Sequence, residues 1–547
     1  MSRPRLTRRH PCPRGRHPSL RTENWPCSLA QTHRNRYNNQ FCQNPLNHDF
    51  SFGVPMSLRR VSWVIAIAVA TLLEISCGQT YRPVVIPINI TPPNGSNFHA
   101  VFGLSSNVPF NPGTVLQIDV SGDTNIGAAA MGVNPTHVTM LPSLSRVVVA
   151  SAGSLFTGES DLVAIVSQAT DSQVATGLGT PQTVSLPPGS LPVFVNTTEN
   201  TAVYVANFGT NSVSAINTSA VIRQTVPVGN QPVALAETTD ARNLYVVNQA
   251  DNTVIDLFPT DLSTLSVIPV GNSPVWAVPR VDSQRLYVVT QGDGKLYTIQ
   301  TASNAVSGIQ DVGGPGANYV VYDKSRNRVY VTNPNAGALY VFDGTTDPPK
   351  PVLPLGSATP AVVIPAPPPC ASAPTSCSTV VPVSVAALPD GSRFYVASYV
   401  TGTGSACLDP TVTSPTCVIP QVTVYDAATL TVKTTVFPLL PPVAGVQPFA
   451  MPPVAFCAPI IPYNPTNLNA RFRMFAAAAA DSTRVYASIC DSGSIAIINT
   501  TTSTVSSSTN NTPDTLVTDL LAPFSAGPPQ PNGEPLPQSP VFLVTGQ

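Results

Sequence analysis

Histidine is nearly missing from this 547-residue chain: there are six in all, and four of them (His10, His17, His33 and His48) stand in the first 55 residues. His99 and His137 remain, too few for a histidine-ligated metal, haem or copper centre. No C-x-x-C, G-x-S-x-G, phosphate loop or zinc spacing occurs, so the short motifs of zinc modules, serine hydrolases and nucleotide-binding proteins are absent too. No cofactor, metal site or catalytic residue is therefore expected. Charge is scarce as well. At 10% charged and 43% hydrophobic the chain can bury a large core, and its repeats do not have the composition of a disordered segment. The formal net charge of −1 hides an asymmetry, because residues 1–77 hold eleven Arg against Glu23, Asp49 and Glu74. The remainder is acidic overall, without the basic surplus a nucleic-acid binder shows, so no nucleic-acid partner is expected. Long apolar runs are lacking too: Val61–Leu73, about 13 residues, falls short of the ~20 that span a bilayer as a helix.

What is present is repetition. Residues 189–213, 229–254, 271–296 and 313–339 say nearly the same thing, and Tyr204, Tyr245, Tyr287 and Tyr330 hold equivalent places 41, 42 and 43 residues apart. Each copy reads as strand, turn, strand, turn, strand, with β-branched and aromatic runs between Gly, Asn and Asp punctuation. One such meander cannot cover both its faces, so copies must stack, and a period near 42 suits a four-stranded propeller blade. Further copies can be tracked at Val148, Tyr395 and Tyr486, with a weak one at Val101. The last residues, 538–547, match the opening of a copy. They are expected to complete the blade begun at Val101, leaving no sheet edge unpaired. The fold expected is an all-β propeller of four-stranded blades, seven or eight in number, over residues 101–547.

Tyr330-Val331-Thr332-Asn333, with variants at Tyr204, Tyr245, Tyr287 and Tyr395, resembles the signature of the YVTN-type β-propeller repeats found in surface-layer-like and periplasmic bacterial proteins. The resemblance implies a binding scaffold. Distant look-alikes include lactonases and quinoprotein dehydrogenases, so it specifies fold far better than activity.

The N-terminal part has another character. Residues 1–55 are rich in Arg, Pro and His without periodicity, and read as an upstream extension foreign to the native protein or as a disordered arm. Residues 56–77 run basic, apolar, then small, the order of a signal peptide starting at Met56. Cys77 after Ser76 looks like a lipobox cysteine carrying a lipid anchor, although Glu74 stands where such a box prefers Leu. Residues 78–100 form a Pro-rich lead-in. An exported protein of the periplasm or cell surface, attached to a membrane through Cys77, is expected.

Four Pro-rich insertions interrupt the later copies, at 347–379, 398–420, 437–468 and 522–539. In a four-stranded meander, loops after the second strand and loops between blades share one face. That face is expected to be decorated and to bind, while short turns with Asp240, Asp282, Asp323, Asp390 and Asp481 occupy the other. Cys370, Cys377, Cys407, Cys417, Cys457 and Cys490 all fall in the inserted copies. In an exported chain they suggest three disulfides, which local order pairs as 370–377, 407–417 and 457–490. Asn207, Asn248 and Asn333 end their strands as turn formers, or else form a ring of amides facing a ligand. His137 stands on an inner strand, facing the channel or buried with a hydrogen bond. Phe194 and Trp276 are expected to pack between blades.

These readings converge on an extracytoplasmic propeller that binds an envelope or extracellular partner without catalysing a reaction. The alternatives are a lactonase-like propeller enzyme, with an acidic, amide-lined channel for a divalent cation, and a structural envelope component.

Overall fold

Four inner strands begin on Pro and a fifth carries it second, after Val381; Pro surrenders one ladder donor and so belongs at a strand's start. In the computed structural model Pro135, Pro192, Pro232, Pro274 and Pro382 each precede the same irregularity, a one-residue register shift against the neighbouring strand. A bulge of this kind re-aims the side chain that follows it. The structure describes residues 100–545, apart from 108–110, 121, 142–145, 154–160, 168–179, 198–201, 218, 373, 408–415, 439–449, 460–461, 465–466, 468, 502–511 and 524–536. The expected signal peptide, Cys77 and the lead-in up to residue 99 lie outside the described residues.

Among the described residues the strands form eight antiparallel sheets, the larger of the two blade numbers anticipated. Numbering blades along the chain, the innermost strand of blade 1 is the C-terminal Ser539–Thr545. Those of blades 2 to 8 are Pro135–Leu141, Pro192–Thr197, Pro232–Glu237, Pro274–Pro279, Tyr319–Asp323, Val381–Ala387 and Met474–Ala478. Each of these touches the inner strand before and after it, and Ser539–Thr545 touches both Met474–Ala478 and Pro135–Leu141, so the ring is closed. Closure rests on Ser539–Thr545 pairing with Ala100–Asn107, Val101 opposite Thr545 and Leu104 opposite Phe542. The C-terminal strand thereby completes the N-terminal blade, as its sequence implies.

Stacking of blades makes the core. Tyr245, Tyr287, Tyr330, Tyr395 and Tyr486, the residues that mark the repeat, are all completely buried. Some repeat tyrosines also clasp the next blade by their hydroxyl: Tyr204, itself almost completely buried, donates to Pro259 O (2.9 Å) and Tyr245 to Asn304 Oδ1 (3.0 Å). Tyr395 donates in the same way to Asp514. The turn aspartates behave as Asx turns require: Asp240, Asp282, Asp323, Asp390 and Asp481 each accept the backbone N–H two residues on.

Two insertions are partly strand. In blade 6, Lys350–Pro351 and Ala361–Val363 both pair with Ala338–Asp343, so the stretch expected as a loop from 347 supplies the outermost strand in two pieces. In blade 7, Arg393–Thr403 and Thr416–Asp426 stay paired over eleven residue pairs, which turns much of 398–420 into a lengthened hairpin. Three disulfides, Cys370–Cys377, Cys407–Cys417 and Cys457–Cys490, tie down what lies beyond the strands, in the pairing that chain order suggests.

Candidate functional site

Behind the five bulges the aimed residues are His137, Phe194, Ala234, Trp276 and Ser384, and blades 6, 8 and 1 place Tyr319, Phe475 and Phe542 on the axis beside them. Six of these side chains close a ring of rings. The centroid steps are His137–Phe194 3.8 Å, Phe194–Trp276 5.2 Å, Trp276–Tyr319 5.1 Å, Tyr319–Phe475 5.5 Å, Phe475–Phe542 4.0 Å and Phe542–His137 4.5 Å. Phe472 caps them, within 6 Å of Trp276, Tyr319, Phe475 and Phe542. The axis is therefore plugged by aromatics in stacked and edge-on contact, each pair adding about 0.5–1.5 kcal/mol. Phe194 and Trp276 belong to this plug rather than to the packing between blades. The acidic, amide-lined channel of the enzyme alternative is not what the described residues build.

His137 is 5% exposed, stacks on Phe194, and its Nδ1 accepts the Val195 N–H at 3.4 Å. Burial, with the nearby Arg471 charge adding to it, holds its pKa well below 6.5. The ring is neutral at ordinary pH.

The three strand-ending amides lie inside the blades. Asn207, Asn248 and Asn333 are wholly buried at the ends of their strands. Asn207 donates to Ser212 and Ser214, and Asn333 donates to Val312 O and Gly314 O while accepting the N–H groups of Asn335 and Ala336. Asn333 thus acts as a turn former, its donor and its acceptor both engaged, whereas the buried side-chain oxygens of Asn207 and Asn248 have no hydrogen-bond partner among the described residues.

On the decorated side of the plug lies a cavity of ≈ 480 Å³. The segment entering blade 8 forms one wall, and the Cys457–Cys490 disulfide pins it, together with the Ala470 N–H to Phe456 O and Cys490 N–H to Arg473 O bonds. Asp491, next to that disulfide, takes both Arg473 Nε (2.7 Å) and Nη2 (3.0 Å), and also accepts the Val454 N–H at 2.8 Å. Burial pushes the Asp491 carboxyl upward, and the Arg473 fork works against that. Arg473 in turn lies 5.0 Å above the Tyr399 ring. This wall is thus a neutralised ion pair, held as one piece.

Arg471 differs. Its guanidinium sits between the Trp276 ring (4.7 Å) and the Tyr463 ring (4.8 Å), Nη1 donating to Val233 O at 2.9 Å and Nη2 to Val275 O. It bridges the inner strands of two other blades across the mouth of the axis. Burial lowers its pKa to about 10, so it stays charged at neutral pH. Among the described residues no acidic one lines the cavity, whose remaining polar surface comes from Gln291, Asn318, Asn335 and Thr379, and whose apolar surface includes Val275, Val383 and Phe472. Burial also raises the Tyr463 phenol to about 12 and moves Tyr399 upward, so neither ionises near neutrality. Sequence reasoning did not single out any of Arg471, Arg473, Asp491, Gln291 or Tyr463. The one available signal was two arginines, Arg471 and Arg473, in a stretch otherwise without charge.

Known proteins match this chain by shape alone. No family model matches it, and no curated protein matches its sequence. Among solved structures, the dihydro-heme d1 dehydrogenase NirN is similar at 10% identity, over 82% of this chain and 75% of that one, with a TM-score of 0.50. The periplasmic gluconolactonase PpgL of Pseudomonas aeruginosa (12% identity, 56% and 92%, TM-score 0.42) and the hydrazine synthase of Kuenenia stuttgartiensis (15%, 58% and 78%, TM-score 0.38) also align. At 10% identity the likeness to NirN speaks for the fold and for nothing finer.

Proposed function

We propose that this chain is an extracytoplasmic binding protein, a propeller whose ligand sits in the cavity between the aromatic plug and the insertion entering blade 8. The observation that carries this reading is the cavity itself. It is concave, walled by aromatic and aliphatic groups with a few converging polar ones, and its size falls within the range of about 300–1,000 Å³ usual for small-molecule sites. Its walls are held by a disulfide and a bidentate ion pair, which favours a preformed site. Around it Arg471 is charged and the Tyr463 and Tyr399 phenols are un-ionised at neutral pH, while Arg473 is paired with Asp491. Such a set suits recognition better than proton transfer, which works best with a pKa near the operating pH. The three disulfides support an oxidising compartment, and with the N-terminal segment 56–77 the proposal extends to export and a lipid on Cys77.

The test is a thermal-shift fractionation of small-molecule extract from the native envelope against the full chain. A fraction that raises Tm in a dose-dependent way is expected. No stabilising fraction, or turnover of lactones in a pH-stat by the same preparation, would overturn the reading, the latter in favour of the enzyme. Concentration-dependent sedimentation would favour the structural envelope role. For the anchor, mass spectrometry of the mature N-terminus should show a lipidated Cys77; an unmodified chain beginning at Met1 refutes it.

A further inference from the structure

Four arginines stand beyond residue 350. Three have a carboxylate: Arg393 with Asp514, Arg473 with Asp491, and Arg484 with Asp123. Arg471 has none among the described residues, only the carbonyls of Val233 and Val275 and the faces of two rings. An enclosed charge without a counter-ion is costly, and proteins that keep one ordinarily pair it. The arginine side chain has five N–H donors in a planar fork, and two are used here. With Trp276 and Tyr463 covering the faces of the guanidinium, the unused donors lie along its edge, and Arg471 lines the cavity.

A second, independent observation points to the same place. Gln291, 7% exposed, also lines the cavity, and its amide oxygen has no hydrogen-bond partner among the described residues. A half-turn of the carboxamide exchanges that oxygen for its two N–H donors, so the group serves a ligand acceptor or a ligand hydroxyl equally well.

We propose that the cavity takes a small organic monoanion, its carboxylate docked on the free edge of the Arg471 guanidinium and its body lying between Tyr399, Tyr463 and Phe472. The inference rests on the binding role proposed above and names the ligand class. A monocarboxylate is favoured over phosphate by charge: Arg473 is already neutralised by Asp491, so the cavity offers one positive charge, and no lysine lines it. The planar fork matches a carboxylate in two parallel bonds. Free metabolites and the C-terminus of a peptide present the same group.

The full chain is titrated calorimetrically with matched acid and amide pairs: acetate and acetamide, benzoate and benzamide, gluconate and gluconamide, and trialanine with its C-terminal amide. At least one acid is expected to bind about tenfold or more tightly than its amide, a difference of about 1.4 kcal/mol. The pair that responds tells a free acid from a peptide end. In Arg471→Gln that preference should fall to within about twofold; Arg471→Lys, which keeps the charge and loses the fork, should keep only part of it. Amides that bind as well as their acids would sink the anion assignment and leave a binding cavity in place. Failure of every acid and amide to bind would sink both proposals. Should Arg471→Gln prove unfolded by circular dichroism, Arg471→Lys decides alone, and an undiminished preference for the acid overturns the assignment.

Discussion

Blades 3 to 5 and blades 6 to 8 are the same object held together in two ways. Between blades 3 and 4 and between 4 and 5, neutral hydrogen bonds repeat: the Tyr204 and Tyr245 hydroxyls reach the next blade, and Asn211 and Asn252 accept the N–H groups of Gln231 and Ser273 across the following turn. Blade 5 already meets the inserted blade 6 through Arg285 and Asp347. In the inserted blades the clasp survives at Tyr395, but Arg393 joins it on Asp514, Arg484 ties blade 8 to Asp123 of blade 1, and three disulfides close the loops. A repeated interface supplies its own partners, since every blade presents to the next what the previous one presented to it. An insertion meets surroundings that the repeat did not prepare. Covalent and ionic links then do the fixing, and the candidate site lies at that seam.

If this contrast is right, the regular blades should be most vulnerable to loss of packing and the inserted ones to loss of cross-links. Tyr245→Ala removes a wholly buried ring from the interface between blades 4 and 5. It should lower unfolding stability by about 3–5 kcal/mol, the usual cost of truncating a large buried side chain to Ala, read from urea denaturation. Next comes Cys457→Ser with Cys490→Ser, which opens a link spanning 33 residues. A loss of about 2–4 kcal/mol is expected, and with it weaker ligand binding, because Arg471 and Arg473 stand on the segment so released. The shorter Cys370–Cys377 link, seven residues apart, should cost less and leave binding alone. Equal effects of the two disulfides on binding would erase the distinction between a link that shapes the site and one that closes a loop.

The ring was legible in the sequence because its information is periodic: Tyr204, Tyr245, Tyr287 and Tyr330 fix the blade length, and Pro540-Val541-Phe542 at the far end repeats Pro274-Val275-Trp276. Disulfide pairing was legible because each partner lies close along the chain. The aromatic plug was not. Inner strands such as Pro232–Glu237 are buried on both faces, so alternation gives no axis-facing side, and the bulge after each Pro shifts the parity on which any such reading depends. Arg471 was hidden for another reason. Its surroundings are Val233, Val275, Trp276 and Tyr463, three of them nearly two hundred residues or more away, and nothing local to an unrepeated Pro-rich stretch encodes that meeting.

The plug belongs to both halves of the molecule, and pH probes it. His137 is held neutral in the folded chain, with a pKa well below the 6.5 it regains on unfolding. As pH falls from about 6.5 towards the lowered folded value, the unfolded state takes up a proton that the folded state refuses, so stability declines. The slope from this one group is at most about 1.4 kcal/mol per pH unit. His137→Phe keeps an aromatic ring beside Phe194 and Phe542 and removes the titration. Stability measured between pH 6.5 and 4.5 should lose that component of its slope, while the carboxylates elsewhere keep theirs. An unchanged slope would mean that the imidazole reaches water and the plug is looser than its centroid distances imply.

The smallest effect tests the neutral clasp itself. Tyr245→Phe leaves the packing of the ring intact and removes only the hydroxyl that donates to Asn304 Oδ1 at 3.0 Å. Asn304 has another bond, its Nδ2 donating to Asp256 at 2.7 Å, and Asp256 is also held by Asn243 at the same distance. The clasp is therefore one edge of a four-residue network joining blades 4 and 5, and its loss leaves the Asn304 oxygen short of a donor at a partly buried place. A cost of about 0.5–1.5 kcal/mol is expected, well below that of Tyr245→Ala. A double-mutant cycle with Asn304→Ala should return a coupling of similar size, since the two groups are in direct contact. A coupling near zero would show that the regular blades stand on ring packing alone, and the hydroxyl contacts would then be incidental to the repeat rather than the means by which one copy recognises the next.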